Sequence, residues 1–217
     1  MNQLNPELAA YIARRINEFD RIPGDRRSAL QGLADFVESQ RRETGAVRLI
    51  FICTHNSRRS HLSQIWAQAA ASYYGIAGVE TFSGGTEATA FNPRAVAAAQ
   101  AAGFEITRTD DGDNPVYRVR FAADADPLEC FSKEYGHPAN PGEGFGAVMT
   151  CSSAEAACPI VFGAARRMSI QYEDPKAYDG TDEETAQYRA RCRQIAREML
   201  FAFSRVKNPA QRSTSEP

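Results

Sequence analysis

The chain has 217 residues, of which 43% are hydrophobic and 24% are charged, and these are the proportions of an ordinary globular protein. They exclude a fibrous or wholly disordered chain, and the length suffices to bury a core without disulfide or metal staples. With 25 Lys and Arg residues against 27 Asp and Glu residues, the formal net charge of −2 gives no indication of nucleic-acid binding.

The chain begins with two predicted helices, which together form an N-terminal helical extension over residues 1–45. Leu8, Ile12 and Ile16 share one face of the first helix. The second helix is expected from Ser28, and a glycine at position 45 ends it.

From residue 46 onward, short β-rich runs alternate with helical stretches. Strands are predicted at 47–52, 79–83, 144–150 and 168–172, and helices at 59–74, 93–103 and 183–206. This alternation predicts an α/β fold with a doubly wound, parallel, four-stranded sheet over 46–207. Residues 107–143 are expected to be an insertion containing a β-hairpin of 116–121 and 128–131, and 208–217 a flexible tail.

Neither a membrane span nor a secretion signal is expected. The apolar runs are far shorter than the roughly 20 residues that cross a bilayer, and the first residues lack an apolar signal core. The five cysteines are an odd number without the spacing of a secreted disulfide framework. We therefore expect a cytoplasmic protein that does not bind membranes, in which cysteines serve chemistry or packing.

The segment Cys-Thr-His-Asn-Ser-Arg-Arg-Ser, residues 53–60, joins the first strand of the sheet to a helix, and we call it the oxyanion loop. Ligands of doubly wound sheets bind at such carboxyl ends of strands. A thiolate at Cys53 would be favoured by the helix N-terminus and by nearby cations. Arg59 could hold two oxygens of a tetrahedral oxyanion, and Ser60 could donate to the thiolate. The remaining residues of the anion-binding loop are Thr54, His55, Asn56, Ser57 and Arg58. In the alternative interpretation, Cys53 is a packing residue and Arg59 is solvated.

The string Ile-Cys-Thr-His-Asn-Ser-Arg-Arg-Ser resembles the phosphate loop of low-molecular-weight protein tyrosine phosphatases and of the thioredoxin-coupled arsenate reductases that share their fold. Residues 82–86, 92–96 and 102–104 extend the resemblance, which covers about 47–205. Two positions depart from the family. His55 replaces a glycine, and Arg58 replaces a cysteine and adds a positive charge near Cys53.

The resemblance also implies roles for residues in the two later loops. It implies that Asp174, in an Asp-Pro pair, is a general acid, although such a pair alone is more often a turn. Asp179 and Asp182 are expected to be solvated or to cap the final helix. The family's monovalent-cation positions match Asn56 and Ser83, but the acidic partner is replaced by Gln64, and no other metal or cofactor is expected.

Cys151 and Cys158 match the pair of cysteines, seven residues apart and followed by proline, of the arsenate reductases. In a continuous helix their Cα atoms would lie about 10.5 Å apart, whereas a disulfide needs about 4.4–6.8 Å. Any bond between them therefore requires a loop or an unwound helix. The alternative is that both cysteines only pack, as is expected of Cys130 and Cys192.

The first functional hypothesis is an arsenate reductase with a Cys53, Cys151 and Cys158 relay and a thioredoxin-like reductant. The alternative is a protein tyrosine or aryl phosphatase, with a phosphocysteine intermediate and Asp174 as acid. A third possibility is a non-catalytic redox sensor or anion-binding protein. The expected partners are arsenate, phosphate or a phosphorylated substrate, and neither nucleic acid nor membrane.

Overall fold

The computed structural model describes residues 3–207, and the tail predicted at 208–217 lies outside the described residues. The helices are α1 (Pro6–Ile16), α2 (Gly24–Thr44), α3 (Arg59–Tyr73), α4 (Pro93–Gln100), α5 (Ser152–Ala157) and α6 (Glu184–Ser204). The strands are β1 (Val47–Cys53), β2 (Val79–Gly85), β3 (Glu105–Arg108), β4 (Tyr117–Arg120), β5 (Leu128–Cys130), β6 (Phe145–Met149) and β7 (Ala164–Ser169). Within residues 3–207, no helix is both long enough and apolar enough to cross a membrane.

The main sheet has four parallel strands in the order β2-β1-β6-β7, which confirms the predicted α/β sheet. β1 lies at the centre because its residues are apolar on both faces, and only Arg48 is exposed. The register aligns Cys53 with Gly85 of β2 and Ile52 with Met149 of β6. The segments that follow β1, β2 and β6 therefore leave the same edge of the sheet.

The last strand of the sheet differs from the prediction of 168–172, because β7 spans Ala164–Ser169. This edge strand exposes Arg166. Because it contains charged residues, it lacks the apolar run from which a buried strand is predicted. The apolar residues on which the prediction of 168–172 rested, Ile170 and Tyr172, follow β7 and form backbone hydrogen bonds at the end of β6. Ile170 N and Tyr172 N donate to the carbonyl groups of Met149 and Thr150, at 2.9 and 3.0 Å.

Residues 107–143 contain the predicted hairpin, β4 with β5, and it is joined by β3, which begins before residue 107 and which the sequence did not indicate. β3 pairs antiparallel with β4, which gives a three-stranded sheet in the order β3-β4-β5. The residues of β3 are exposed or half-buried, so they lack the alternation of a half-buried strand.

The two predicted N-terminal helices are present, although α2 begins at Gly24 and not at Ser28. Pro23 precedes α2 with a φ of −57°, which suits the start of a helix. Both helices pack into the same core as the sheet. Leu8 of α1 and Leu33 of α2 are fully buried in one apolar cluster with Trp66 of α3. The boundary at residues 45 and 46 stays a prediction.

Candidate active site

The oxyanion loop leaves β1 at Cys53 and enters α3 at Arg59, and β2 supports it from one side. The amide of Glu87 donates to the carbonyl of Thr54 at 3.0 Å. Gly85 permits this approach, since a Cβ there would lie 2.6 Å from the Thr54 carbonyl and 2.7 Å from the Asn56 nitrogen. The loop also accepts a bond from the start of α4, where Asn92 N donates to Ser57 O at 2.9 Å.

The tight turn of the loop falls on Asn56 and not on His55. Among the described residues, Asn56 is the one non-glycine residue with a positive φ, of 43°, a conformation that asparagine tolerates. His55 therefore replaces the family's glycine without a left-handed backbone. Its ring lies at the surface, with Nε2 3.1 Å from Glu87 Oε1.

The sulfur of Cys53 is buried at the bottom of the loop, with Sγ 3.1 Å from Oγ of Ser60. The side-chain amide of Asn56 donates to the same Ser60 Oγ at 2.9 Å. Because Ser60 Oγ is already an acceptor, its own proton is available to the sulfur. α3 begins directly beyond, and its positive dipole end favours an anion at this point.

Arg59 joins the oxyanion loop to the loop that follows β7. Its Nη2 lies 2.8 Å from Oδ2 of Asp174, and its Nη1 donates to the carbonyl of Tyr172 at 3.0 Å. Asp174 also accepts from the amide of Lys176 at 3.1 Å and so caps a short 3-10 helix, Pro175–Tyr178. The structure thus joins Arg59 of the oxyanion loop to Asp174, two residues that the sequence placed in separate loops.

Arg58 contacts a tyrosine and two carboxylates, and the expectation that it adds a positive charge near Cys53 stays a prediction. Its Nε donates to the hydroxyl of Tyr188 at 2.9 Å, and its guanidinium lies 3.8 Å from Asp174 and 3.9 Å from Asp179. Tyr188 in turn donates to Asp179 at 2.7 Å. The pKa of Tyr188 is raised to about 12, by burial first and by Asp179 next.

Asp179 and Tyr188 are residues of the site region that sequence reasoning missed. Asp179 was expected to be solvated or to cap α6, but it accepts from Tyr188 and lies 3.9 Å from both Arg58 and Arg94. The sequence contains one signal for an acidic partner here, which is the additional arginine of the oxyanion loop, Arg58. A nearly buried guanidinium needs such a partner.

Comparisons with known proteins found a match among solved structures only. No protein-family model and no curated protein matches the chain. A structure of YwlE arginine phosphatase with a phosphorylated active-site serine matches with a TM-score of 0.52 at 13% identity, over 76% of this chain and 99% of that one. The chain has the fold of this arginine phosphatase.

Two further structures match this fold less well. The low-molecular-weight protein tyrosine phosphatase from T. tengcongensis has a TM-score of 0.49 at 15% identity and covers 72% of this chain and 97% of its own. An arsenate reductase in the phosphate-binding state has a TM-score of 0.46 at 14% identity, over 74% of this chain and 99% of that chain. The similarity to solved structures concerns the fold alone, and the reaction is a separate question.

Within this phosphatase fold, the five cysteines, all free thiols, fall into two groups. Cys53, Cys151 and Cys158 belong to one apolar cluster beside the oxyanion loop. Cys130 and Cys192 lie in the main core, where burial raises the pKa of each thiol to about 12.

The segment that carries Cys151 and Cys158 contains a helix, α5. The sulfur of Cys151 caps α5 by accepting from Ala154 N at 3.4 Å, and it lies 3.5 Å from Oγ1 of Thr54 in the oxyanion loop. Cys158 follows the end of α5 and is 8% exposed. Arg167 of β7 holds the segment, donating to the carbonyl groups of Glu155 and Cys158 at 2.7 and 3.1 Å.

The residues at the expected monovalent-cation position do not fit a cation. Ser83 Oγ pairs with Nδ1 of His61 at 3.1 Å, and Asn56 Oδ1 accepts from Lys133 N at 2.8 Å. Lys133 also carries a positive charge on a buried side chain. Burial of His61 is the main cause that lowers the pKa of His61, and the charge of Lys133 is the next largest cause. Gln64 is neutral and directs Nε2 to the carbonyl of Thr81 at 3.0 Å.

Proposed function

We propose that the chain is an arsenate reductase-like enzyme, in which Cys53 attacks the oxyanion and Cys151 and Cys158 form a disulfide relay. The observation that carries the proposal is the grouping of these three thiols in one cluster beside the oxyanion loop, apart from the other two cysteines.

In the proposed reaction, the Cys53 thiolate attacks arsenic, and a hydroxyl group of arsenate takes up a proton from solvent and leaves as water. The Cys151 thiolate then attacks the sulfur of Cys53. A disulfide forms, the sulfur–arsenic bond breaks, and its electron pair stays on arsenic, which leaves as arsenite. Cys158 next attacks Cys151 and frees Cys53. A thioredoxin-like dithiol reduces the remaining Cys151–Cys158 disulfide.

The relay requires α5 to open. Cys151 precedes α5 and Cys158 follows it, and a helical segment of that length holds the two Cα atoms too far apart for a disulfide. A helix of six residues is short enough to unwind at small cost, because it is far below the length that is stable alone. The bonds from Arg167 to Glu155 and Cys158 are those that opening must release.

The reductase proposal is tested by arsenite release from purified protein with arsenate and reduced thioredoxin. The Cys158→Ser variant should release one arsenite per molecule and stop, with a Cys53–Cys151 disulfide that mass spectrometry detects. Cys192→Ser is the matched control, since Cys192 lies in the main core, and it should turn over normally. Sustained turnover by Cys158→Ser would refute the relay.

A second candidate function, aryl phosphatase activity, is favoured by the position of Asp174 against Arg59. The carboxyl group could protonate the leaving oxygen while Cys53 takes the phosphoryl group. Asp174→Asn should then reduce the hydrolysis of phenyl phosphate by about 100-fold, whereas the exposed Asp182→Asn should not. If neither activity is found and a reversible Cys151–Cys158 disulfide forms, the redox-sensor hypothesis replaces both.

A further inference from the structure

The N-terminal extension reaches the candidate active site through one residue of α2, Arg26. The guanidinium of Arg26 lies over the ring of Tyr172, 4.7 Å from its centroid, which is the geometry of a cation–π contact. Tyr172 is buried and precedes Asp174 by two residues.

A carboxylate of α6 holds Arg26 in this position. Nε and Nη2 of Arg26 lie 2.8 and 2.7 Å from Oε2 of Glu198. The side chain of Glu198 is 1% exposed, and its other oxygen accepts from Gln194 at 3.0 Å. One charge-assisted hydrogen bond from Nε and the ion-pair contact of Nη2 with the same buried carboxylate restrict the orientation of the guanidinium plane.

The backbone of Tyr172 connects this contact to the site. Its carbonyl accepts from Nη1 of Arg59 at 3.0 Å, and its amide donates to Thr150 at 3.0 Å. The other end of the same Arg59 guanidinium lies 2.8 Å from Asp174. A displacement of the Tyr172 ring would therefore move both the carbonyl that orients Arg59 and the loop that carries Asp174.

We propose that Arg26 is a positioning residue for the active site, and that stacking on Tyr172 lets the N-terminal extension fix the orientation of Arg59 and Asp174. This inference rests on the proposed function, because it requires Arg59 to bind an oxyanion. It assigns the N-terminal helices a role in the reaction in addition to their share of the core.

The test compares two pairs of substitutions. Arg26→Met with Glu198→Gln removes the stacking cation without leaving a buried carboxylate unpaired. The matched control is Arg193→Met with Glu18→Gln. Arg193 and Glu18 also join the extension to α6, with Nε 3.1 Å from Oε2, but they do so beside Tyr11. Arg26→Lys is a third variant, which keeps the charge and loses the planar group.

The first measurement is the concentration of inorganic phosphate that half-protects Cys53 from alkylation by iodoacetamide. The Arg26→Met, Glu198→Gln protein should need about tenfold more phosphate than the wild type, because a small displacement of a binding group is costly. The control should match the wild type, and Arg26→Lys should lie between them.

The second measurement is the ratio of kcat/KM for phenyl phosphate to that for p-nitrophenyl phosphate. A displaced acid penalises the poorer leaving group more, so the ratio should fall in the Arg26→Met, Glu198→Gln protein and stay constant in the control. A general loss of structure lowers both values together and leaves the ratio unchanged.

The possible failures are distinguishable. Equal phosphate protection of the wild type and the Arg26→Met, Glu198→Gln protein would overturn the positioning role and leave the proposed function intact. If phosphate does not protect the wild type, the proposed function fails, and this inference fails with it. If the doubly substituted protein does not fold, Arg26→Lys decides, and wild-type protection in that variant overturns the inference.

Discussion

At the scale of single residues, the hydroxyl group of Ser60 links the tight turn of the oxyanion loop to the sulfur of Cys53. Asn56 donates to Ser60 at 2.9 Å, and Ser60 Oγ lies 3.1 Å from the sulfur. The amide of Asn56 thus directs the serine proton toward Cys53. A hydrogen bond to sulfur favours the thiolate, which is the reactive form.

Replacing Ser60 with alanine should slow the reaction of Cys53 with iodoacetamide at neutral pH by about 10- to 100-fold, since a hydrogen bond to a charged group contributes about 1.5–3 kcal/mol. The rate is measured by mass spectrometry of the peptide that contains Cys53. Ser63→Ala is the matched control, because Ser63 is buried in the same helix without a hydrogen-bond partner among the described residues. An equal loss of rate in both variants would contradict the role of Ser60.

At the scale of elements, α5 is the helix that the proposed relay must open, and a carboxylate ties it to the edge strand β7. Glu155 of α5 accepts from Ser169 at 2.7 Å, from Gln171, and from Arg167 at 3.4 Å. Burial raises the pKa of Glu155, but the bonds from Ser169 and Gln171 and the charge of Arg167 outweigh it and lower the pKa below 4.5.

This lowered pKa predicts that acid loosens α5. The stabilisation from Glu155 is fully present above about pH 4.5 and is lost as the pH falls through the lower folded-state pKa. The reaction of Cys158 with 4,4′-dithiodipyridine should therefore accelerate in that acidic range. Glu155→Gln should react faster already at neutral pH and show a flatter profile, whereas Glu143→Gln, on an exposed loop, should follow the wild type. Superimposable profiles for all three proteins would exclude this role of Glu155.

At the scale of the whole molecule, the N-terminal helices and the sheet share one core. Trp66 of α3 stacks on Tyr11 of α1 with ring centroids 5.6 Å apart, and Leu8 is fully buried in the cluster that contains Trp66. Elements that bury their apolar residues in one shared core are expected to unfold in one cooperative transition. The extension and the α/β domain should therefore gain and lose their structure together.

Leu8→Ala should lower the free energy of unfolding of the whole protein by about 2–5 kcal/mol, because it leaves a cavity in the shared core. Urea unfolding is followed by circular dichroism, which reports all helices, and by the fluorescence of the single tryptophan, Trp66. The two curves should coincide and shift together. Glu7→Ala, at an exposed position, should change the stability by less than about 0.5 kcal/mol. Two separate transitions would show that the extension folds independently.

Much of the fold was predictable because its signals are local. The apolar run that became β1 and the glycine that ends α2 with a φ of 76° act through neighbouring residues. The segments without such signals were misplaced or missed. β7 is a charged edge strand, and the exposed strand β3 is held by its pairing with β4.

The sequence by itself determined most of the helices and strands and the order of the loops, since periodicity, capping and residue type act over a few positions. Only the tertiary structure decided that Arg58 contacts Tyr188 and Asp179. It also decided that Arg26 stacks on Tyr172. These contacts join residues far apart in the chain, and a long side chain takes its direction from partners that only the folded chain brings within reach.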